Sequence, residues 1–213
     1  MQLVKKYEIK SRQKIIEFLN SQPVGRIASI DKRGYPQVIP MNFVHYDEAV
    51  YMHSHPFGEK LDNINVNPKV GFEVDEHICF LPSYYFHPTD ASQADTLYIS
   101  VVIKGLAEIV LDLDEKASAL NALMKKYQKE GHYEQLDAQM PTVREVAVIK
   151  VTPTDMRGKY KIGQQWTQPH RLRMADNIIK REGLQSAIAI LEKMGIDIKA
   201  DGGGLYIKRE PVM

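Results

Sequence analysis

Residues 25–54 hold three runs in which apolar and polar side chains alternate: GRIASI at 25–30, PQVIPMNFVH at 36–45 and VYMHS at 50–54. Only short polar turns, DKRGY and YDEA, separate them. Period-two alternation describes strands with one face turned to a core, and a parallel pair would need a crossover of about a dozen residues. The runs can therefore pair only as an antiparallel meander. Three more segments have strand texture: 69–75, 98–110 and 143–151, the last ended by Pro153. Gly105 within the longest suggests a bulge or a barrel corner.

Helical periodicity flanks these strands. Ser11 precedes a helix with Ile15, Ile16, Phe18 and Leu19 on one face, and residues 59–66 form a short helix with Leu61 and Ile64 together. Asp114 is placed to cap a longer helix that turns Leu120, Leu123, Met124 and Tyr127 inward. Two further helices, 171–180 and 184–194, are separated by Gly183, with Gly195 as a C-cap and a loose tail from residue 201. Residues 77–96 lack periodicity and are expected to form a long loop, either a lid or a dimer contact. The expected architecture is mainly β within α+β. It has six antiparallel strands as a sheet or small barrel with flanking helices, a barrel domain over 1–155 and a helical C-terminal extension over 156–213.

Composition narrows the function. Lys and Arg number 28 against 27 Asp and Glu, a net charge of +1, so no field draws the chain onto nucleic acid or an acidic membrane. The single cysteine, Cys79, excludes an intrachain disulfide framework and reads as a buried small residue in a reducing compartment. No run approaches the roughly 20 apolar residues of a membrane span, and the first residues lack a signal-peptide core. A soluble cytoplasmic protein is expected.

The chemistry concentrates at residues 51–68, YMHSHPFGEKLDNINVNP, where a strand runs into a helix. Free amides at a helix start favour an anion, and His53, Ser54 and Lys60 can add donors and charge. The alternative is a surface crossover whose His and Lys are merely solvated.

The order GRIAS, a Gly-Tyr-Pro turn, MNF, YMHSHP, GEKLDNIN, NPKVGFE and YISVVIKGLAEIV resembles the pyridoxamine 5′-phosphate oxidase-like FMN-binding split barrels, most closely their nitroimidazole-reductase branch. The resemblance runs over most of residues 10–165. It implies a split-barrel homodimer with FMN at the subunit interface. Carried over, Met41, Asn42 and Phe43 line the ring and ribityl chain, Tyr51, His53 and Ser54 run beside the flavin, and Lys60 holds the phosphate. Ser100 reaches the cofactor from across the dimer, and His53 stands near the flavin face as the candidate catalytic residue. Glu59 occupies a place where the family often has a second cation, so Arg26 or the partner chain is expected to supply one. Residues 157–165, RGKYKIGQQ, are similar to a sister branch that includes flavin-binding negative transcriptional regulators. Trp166, Arg171 and Arg173 are late candidates for reaching the flavin, with packing of the extension as the other role for Trp166. The function implied is a flavin-dependent oxidoreductase acting on a small organic molecule with a nicotinamide donor. A flavin-binding regulator and a heme-handling barrel are the rival classes.

Other constellations weigh less. His53 with His55, and His77 with Cys79, have strand spacing for chelation, and His45 and His87 could extend a set. No pair has a tight metal-motif form, so no metal is expected. His87 or His170 could serve as a heme ligand, but nothing around them singles them out. No Gly-x-Ser-x-Gly elbow is present, and Gly202–Gly204 lack the helix and lysine of a phosphate loop. Lys125, Lys126 and Lys129 read as a solvated face.

Overall fold

The computed structural model describes residues 4–199 and 204–210. In chain order the elements are β1 (Glu8–Ile9), α1 (Arg12–Ser21), β2 (Gly25–Ile30), β3 (Pro36–Met41), β4 (Val44–Tyr46), β5 (Ala49–Ser54), α2 (Glu59–Val66) and β6 (Lys69–Leu81). They continue as β7 (Asp95–Ile109), α3 (Leu113–Tyr127), α4 (Pro141–Glu145), β8 (Ala147–Lys161), α5 (Gln168–Glu182), α6 (Leu184–Lys193), β9 (Ile196–Ile198) and β10 (Leu205–Ile207). The fold is α+β and dominated by antiparallel strands, as expected of a split barrel. Two compact units divide the chain. The first contains Ser11–Asp75 and Val101–Gly158, the second Glu76–Ser100 and the described residues of 4–10 and from Lys159 onward.

In the first unit the strands follow the order β3-β2-β6-β7-β8-β5-β4, so β3 and β4 occupy the two ends of the path. Yet only Asn42 and Phe43 separate them in sequence. Laid flat, seven strands would hold these ends about 29 Å apart at the usual ~4.8 Å spacing. Three extended steps from Met41 to Val44 span at most about 11 Å. The sheet must curl until its ends meet. The run at 36–45, which alternates like one strand, is thus two strands that pair on opposite sides, with β2 before Asn42 and with β5 after Phe43.

At that break the backbone loses its ladder partners and must find others. The Tyr127 hydroxyl takes their place. It accepts the Phe43 N–H at 2.8 Å, and its single hydrogen faces the carbonyls of Phe43 at 2.9 Å and Pro23 at 2.7 Å. Phe43 itself is fully buried, edge-on to Phe72 with ring centroids 5.0 Å apart. The Lys126 ammonium lies 3.6 Å from the centre of its ring and donates to the Leu19 carbonyl at 3.2 Å. Burial lowers that ammonium to about 8.

Helix α3 also explains why β5 and β8 are buried on both faces. Ala49, Val50, Tyr51 and Met52 are all buried, as are Ala147, Val148 and Ile149. Alternate residues of these strands pack with Ala119 and Leu123 of α3. The helix begins one turn-step earlier than its sequence suggests: Asp112, not Asp114, accepts the Glu115 N–H at 2.7 Å and is the cap.

In the second unit α5 and α6 meet at Gly183 and bury Met174, Ile178 and Leu191 with Cys79, Leu81 and Leu97. The chain then forms the two-stranded β9-β10 sheet, pairing Ile198 with Leu205. The loose tail expected from residue 201 is therefore replaced at 205–207 by a strand, while residues 201–203 lie outside the described residues. Other strand ends also moved. The long loop expected at 77–96 shrinks because β6 runs to Leu81 and β7 starts at Asp95. The strand expected at 143–151 begins as a helical turn at Pro141, and β8 continues through Pro153, beyond the last residue it pairs with β5. Gly105 lies inside continuous β7; a Cβ there would lie 2.7 Å from the Thr152 carbonyl, so the position is a close approach to β8. No helix among the described residues is long and apolar enough to cross a membrane.

Two outcomes follow from the Phe43 seam. Tyr127→Phe should lower stability by about 1–3 kcal/mol in urea denaturation, because it strands the buried Phe43 N–H. Lys126 should titrate near 8 rather than its ordinary 10.5. Its folded value lies below the unfolded one, so the unfolded chain binds the extra proton and stability rises with pH across that interval. Stability relative to Lys126→Met should therefore shift toward the native chain as pH rises from 8 to 10.5; a flat difference would mean a solvent-like ammonium.

Candidate functional site

The strand-to-helix join takes its position from α2. Leu61 and Ile64 are buried, and the buried Asn63 side chain donates to Ser29 Oγ at 3.2 Å and Gln37 Oε1 at 3.3 Å. These contacts seat α2 on β2 and β3. Its N-terminus then follows the exposed turn after β5, and Gly58, at φ +143°, offers no side chain to cap it. The amides of Leu61 and Asp62 bond back to the Gly58 carbonyl, while among the described residues no side chain caps those of Glu59 and Lys60, which lie at the positive end of the helix dipole.

Around this terminus the side chains divide by whether they already have partners. Lys60 is half-buried and His53 exposed, and among the described residues neither has a hydrogen-bond or ion-pair partner. Glu59, the carboxylate nearest in sequence to Lys60, instead accepts from Gln37 Nε2 at 2.6 Å. Ser54 donates to the His55 carbonyl at 2.8 Å, which leaves its oxygen lone pairs free. His55 lies beyond the end of β5 and exchanges its ring nitrogen with Phe57, so it no longer shares a strand face with His53.

The remaining predicted residues fall into three settings. Met41 and Asn42 stand at the seam beside buried Phe43, Met41 half-buried and Asn42 exposed. Arg26 on β2 is engaged by Glu73 at 3.0 Å and by Asp75, which holds the guanidinium charged. Burial first, and the Asp75 charge second, push the Glu73 carboxyl up, while Arg26 pulls it down. Tyr51 is buried on the α3 side of β5, where its hydroxyl donates to Glu115 at 2.8 Å. Burial and that bond push the phenol up to about 12, and Lys150, 2.8 Å from the same carboxylate, is raised to about 12 by it.

Ser100 and Trp166 belong to the second unit. Ser100 is half-buried on β7. Trp166 packs 5.2 Å from His170 and 6.2 Å from Phe86, with its ring over Gly163. Arg171, nearly fully buried, is paired with Glu210 at 2.7 Å, while Arg173 meets His170 Nδ1 at 2.7 Å. The His87 ring accepts the amides of Thr89 and Asp90 and so braces its own turn.

Sequence reasoning missed Lys126, Tyr127 and Glu115. Lys126 is not part of a solvated face; only Lys125 and Lys129 of that trio are exposed. Nothing local marked them, because their partners Phe43 and Tyr51 lie far away along the chain.

Comparison with known proteins bears on the family and the fold. A profile of the pyridoxamine 5′-phosphate oxidase family matches residues 11–160. Comparison with curated proteins yields no match. Among solved structures, a proposed 5-nitroimidazole antibiotic resistance protein from Bacteroides thetaiotaomicron is 28% identical, with a TM-score of 0.61 over 71% of this chain and 85% of that one. The flavocytochrome Anf3 from Azotobacter vinelandii shares the fold at 16% identity and a TM-score of 0.63, over 76% and 72% of the two chains. A FAD- and heme-binding protein from Mycobacterium smegmatis does so at 15% and 0.60, over 73% of each. With the profile spanning most of the chain, including the seam, β5 and α2, the chain belongs to the pyridoxamine 5′-phosphate oxidase family.

Proposed function

We propose that this chain is an FMN-binding oxidoreductase that works as a homodimer in the cytoplasm and reduces or oxidises a small organic molecule with a nicotinamide electron donor. The observation that carries the reading is the uncapped start of α2 beside an ammonium with no carboxylate partner, Lys60. A phosphate monoester needs that arrangement: amide donors, a dipole end and one unneutralised cation.

The residues present fit FMN in part. Lys60 and the first amides of α2 would hold the phosphate, with Ser54 accepting from a ribityl hydroxyl. Met41 and Asn42 would lie along the ring system at the seam. Bound FMN would supply electron and hydride transfer, chemistry that belongs to the cofactor. His53 would orient the substrate or donate a hydrogen bond at the exposed face. Arg26 and Tyr51 fit less well as contacts, since Glu73 with Asp75 and Glu115 already engage them. Ser100 and Trp166 would come to the cofactor from the partner chain or serve packing.

A homodimer is what the family resemblance implies, and on the end strand β3 Val38 is 57% exposed, with Tyr35 just before it 65% exposed, apolar side chains that a second copy could cover. The single buried thiol, Cys79, is compatible with a reducing compartment. The 5-nitroimidazole named for the Bacteroides relative makes that class the first substrate to assay.

The purified chain is expected to be yellow or to become so with added FMN, and to be a dimer by analytical ultracentrifugation. A colourless chain that FMN does not reconstitute would exclude the flavin. Lys60→Ala should weaken FMN binding by about 1.5–3 kcal/mol in a fluorescence titration, the range for a hydrogen bond to a charged group. Unchanged affinity would remove Lys60 from the site. His53→Ala should leave FMN bound while slowing turnover of a nitroimidazole with NADH or NADPH; equal rates would take His53 out of the reaction.

A further inference from the structure

In the first unit a cavity of about 660 Å³ opens between Asn20 at the end of α1, the outer side of β4, the last two turns of α3 and the loop at 133–135. Its size suits a small organic ligand. Lys125 and Lys126 of α3 and Lys129 just beyond its end line it together with His45 of β4, and no carboxylate stands among the described residues that do so. None of these residues is a predicted FMN contact.

Of these lysines and the histidine, two are withdrawn from water without an anionic partner. His45 is 9% exposed; its amide bonds Asn20 Oδ1 at 3.3 Å, but its Nε2 is buried and has no hydrogen-bond partner. A buried ring nitrogen left unpaired costs about 1–3 kcal/mol, so it calls for an explanation. The Lys126 ammonium has only the Leu19 carbonyl and the faces of Phe43 and Tyr127. Lys125 alone could be explained as a cation answering the C-terminal dipole of α3. That does not account for His45 or for Lys126 turned inward over Phe43. Burial lowers both groups, and the Arg12–Glu48 pair, the other charges near His45, is exposed and mutually neutralised. Apolar and aromatic side chains, Val44, Tyr46 and Tyr133, complete the lining.

The geometry points to a second ligand site, separate from the α2 terminus, that binds a small organic anion: its carboxylate or phosphate meets Lys126 and Lys129 and its apolar body lies against Tyr133 and Val44, with His45 in the cavity lining as the imidazole that reports its arrival. Because Lys126 also covers Phe43, an occupant would rest on the same side chain that closes the barrel seam.

The probes are benzoate and phenyl phosphate, with benzylammonium as the cationic counterpart. Each is titrated into the full-length chain, isotope-labelled at histidine, while the His45 ring resonances are followed by NMR. A saturable shift with either anion is expected, absent with benzylammonium, and the relative strength of the two anions separates carboxylate from phosphate preference. Lys126→Met should weaken binding about tenfold, and Lys129→Met, an exposed change that leaves packing alone, about threefold. Failure of both anions to shift His45 saturably, an equal response to benzylammonium, or an unchanged affinity in Lys129→Met would overturn the site. FMN titration of the same samples keeps this result distinct from the flavin reading, which does not depend on it.

Discussion

The first unit depends on how one hydroxyl satisfies one peptide. The chain between β3 and β4 must carry the sheet from one end of its strand order to the other in two residues, and in doing so it leaves Phe43 without a strand partner. Tyr127 supplies both a hydrogen-bond acceptor and a donor at that point. Buried backbone groups tolerate almost no orphaning, so closure of the barrel and the placement of α3 are a single event. The relation of β3 to β5, which the candidate flavin site needs, is then set by a residue that belongs to neither strand.

Electrostatics sorts the polar residues of the first unit into structural and available groups. Arg26 is consumed by Glu73 and Asp75, and Lys150 with Tyr51 by Glu115. In such pairs the charge is already answered within the chain. Lys60 is different because Gln37 draws the adjacent Glu59 away from it. Lys126 is different because its environment is aromatic and carbonyl rather than carboxylate. Cations without a carboxylate partner thus stand at the start of α2 and at the cavity beside β4, and Phe43 lies at the seam that connects their supporting strands.

Much of the fold was legible from alternation and capping. The meander at 25–54, α1 with its Ser11 cap, and the break at Gly183 all appear where local chemistry puts them. Misreadings came where a tertiary partner overruled local texture. Residues 36–45 alternate without interruption, yet the chain switches partners inside them. Pro153 looked like a strand end, but it falls where β8 no longer pairs with β5 and its missing N–H costs nothing there. The strand-to-helix join at 51–68 was readable because it is built from neighbouring residues; the engagement of Arg26 and Tyr51 was not, since it depends on strands and a helix remote in sequence.

What the sequence by itself determined is the set of strands and helices, their antiparallel connection and the strand-to-helix join with Lys60 at its start. All of these are properties of short stretches whose period and donors are written locally. Only the tertiary structure decided which end of the sheet meets which, which cations keep their charge free, and that Lys126, Tyr127 and His45 converge on Phe43 and the cavity beside it. Closure and desolvation depend on residues far apart in the chain arriving at one place, and no local pattern records that arrival.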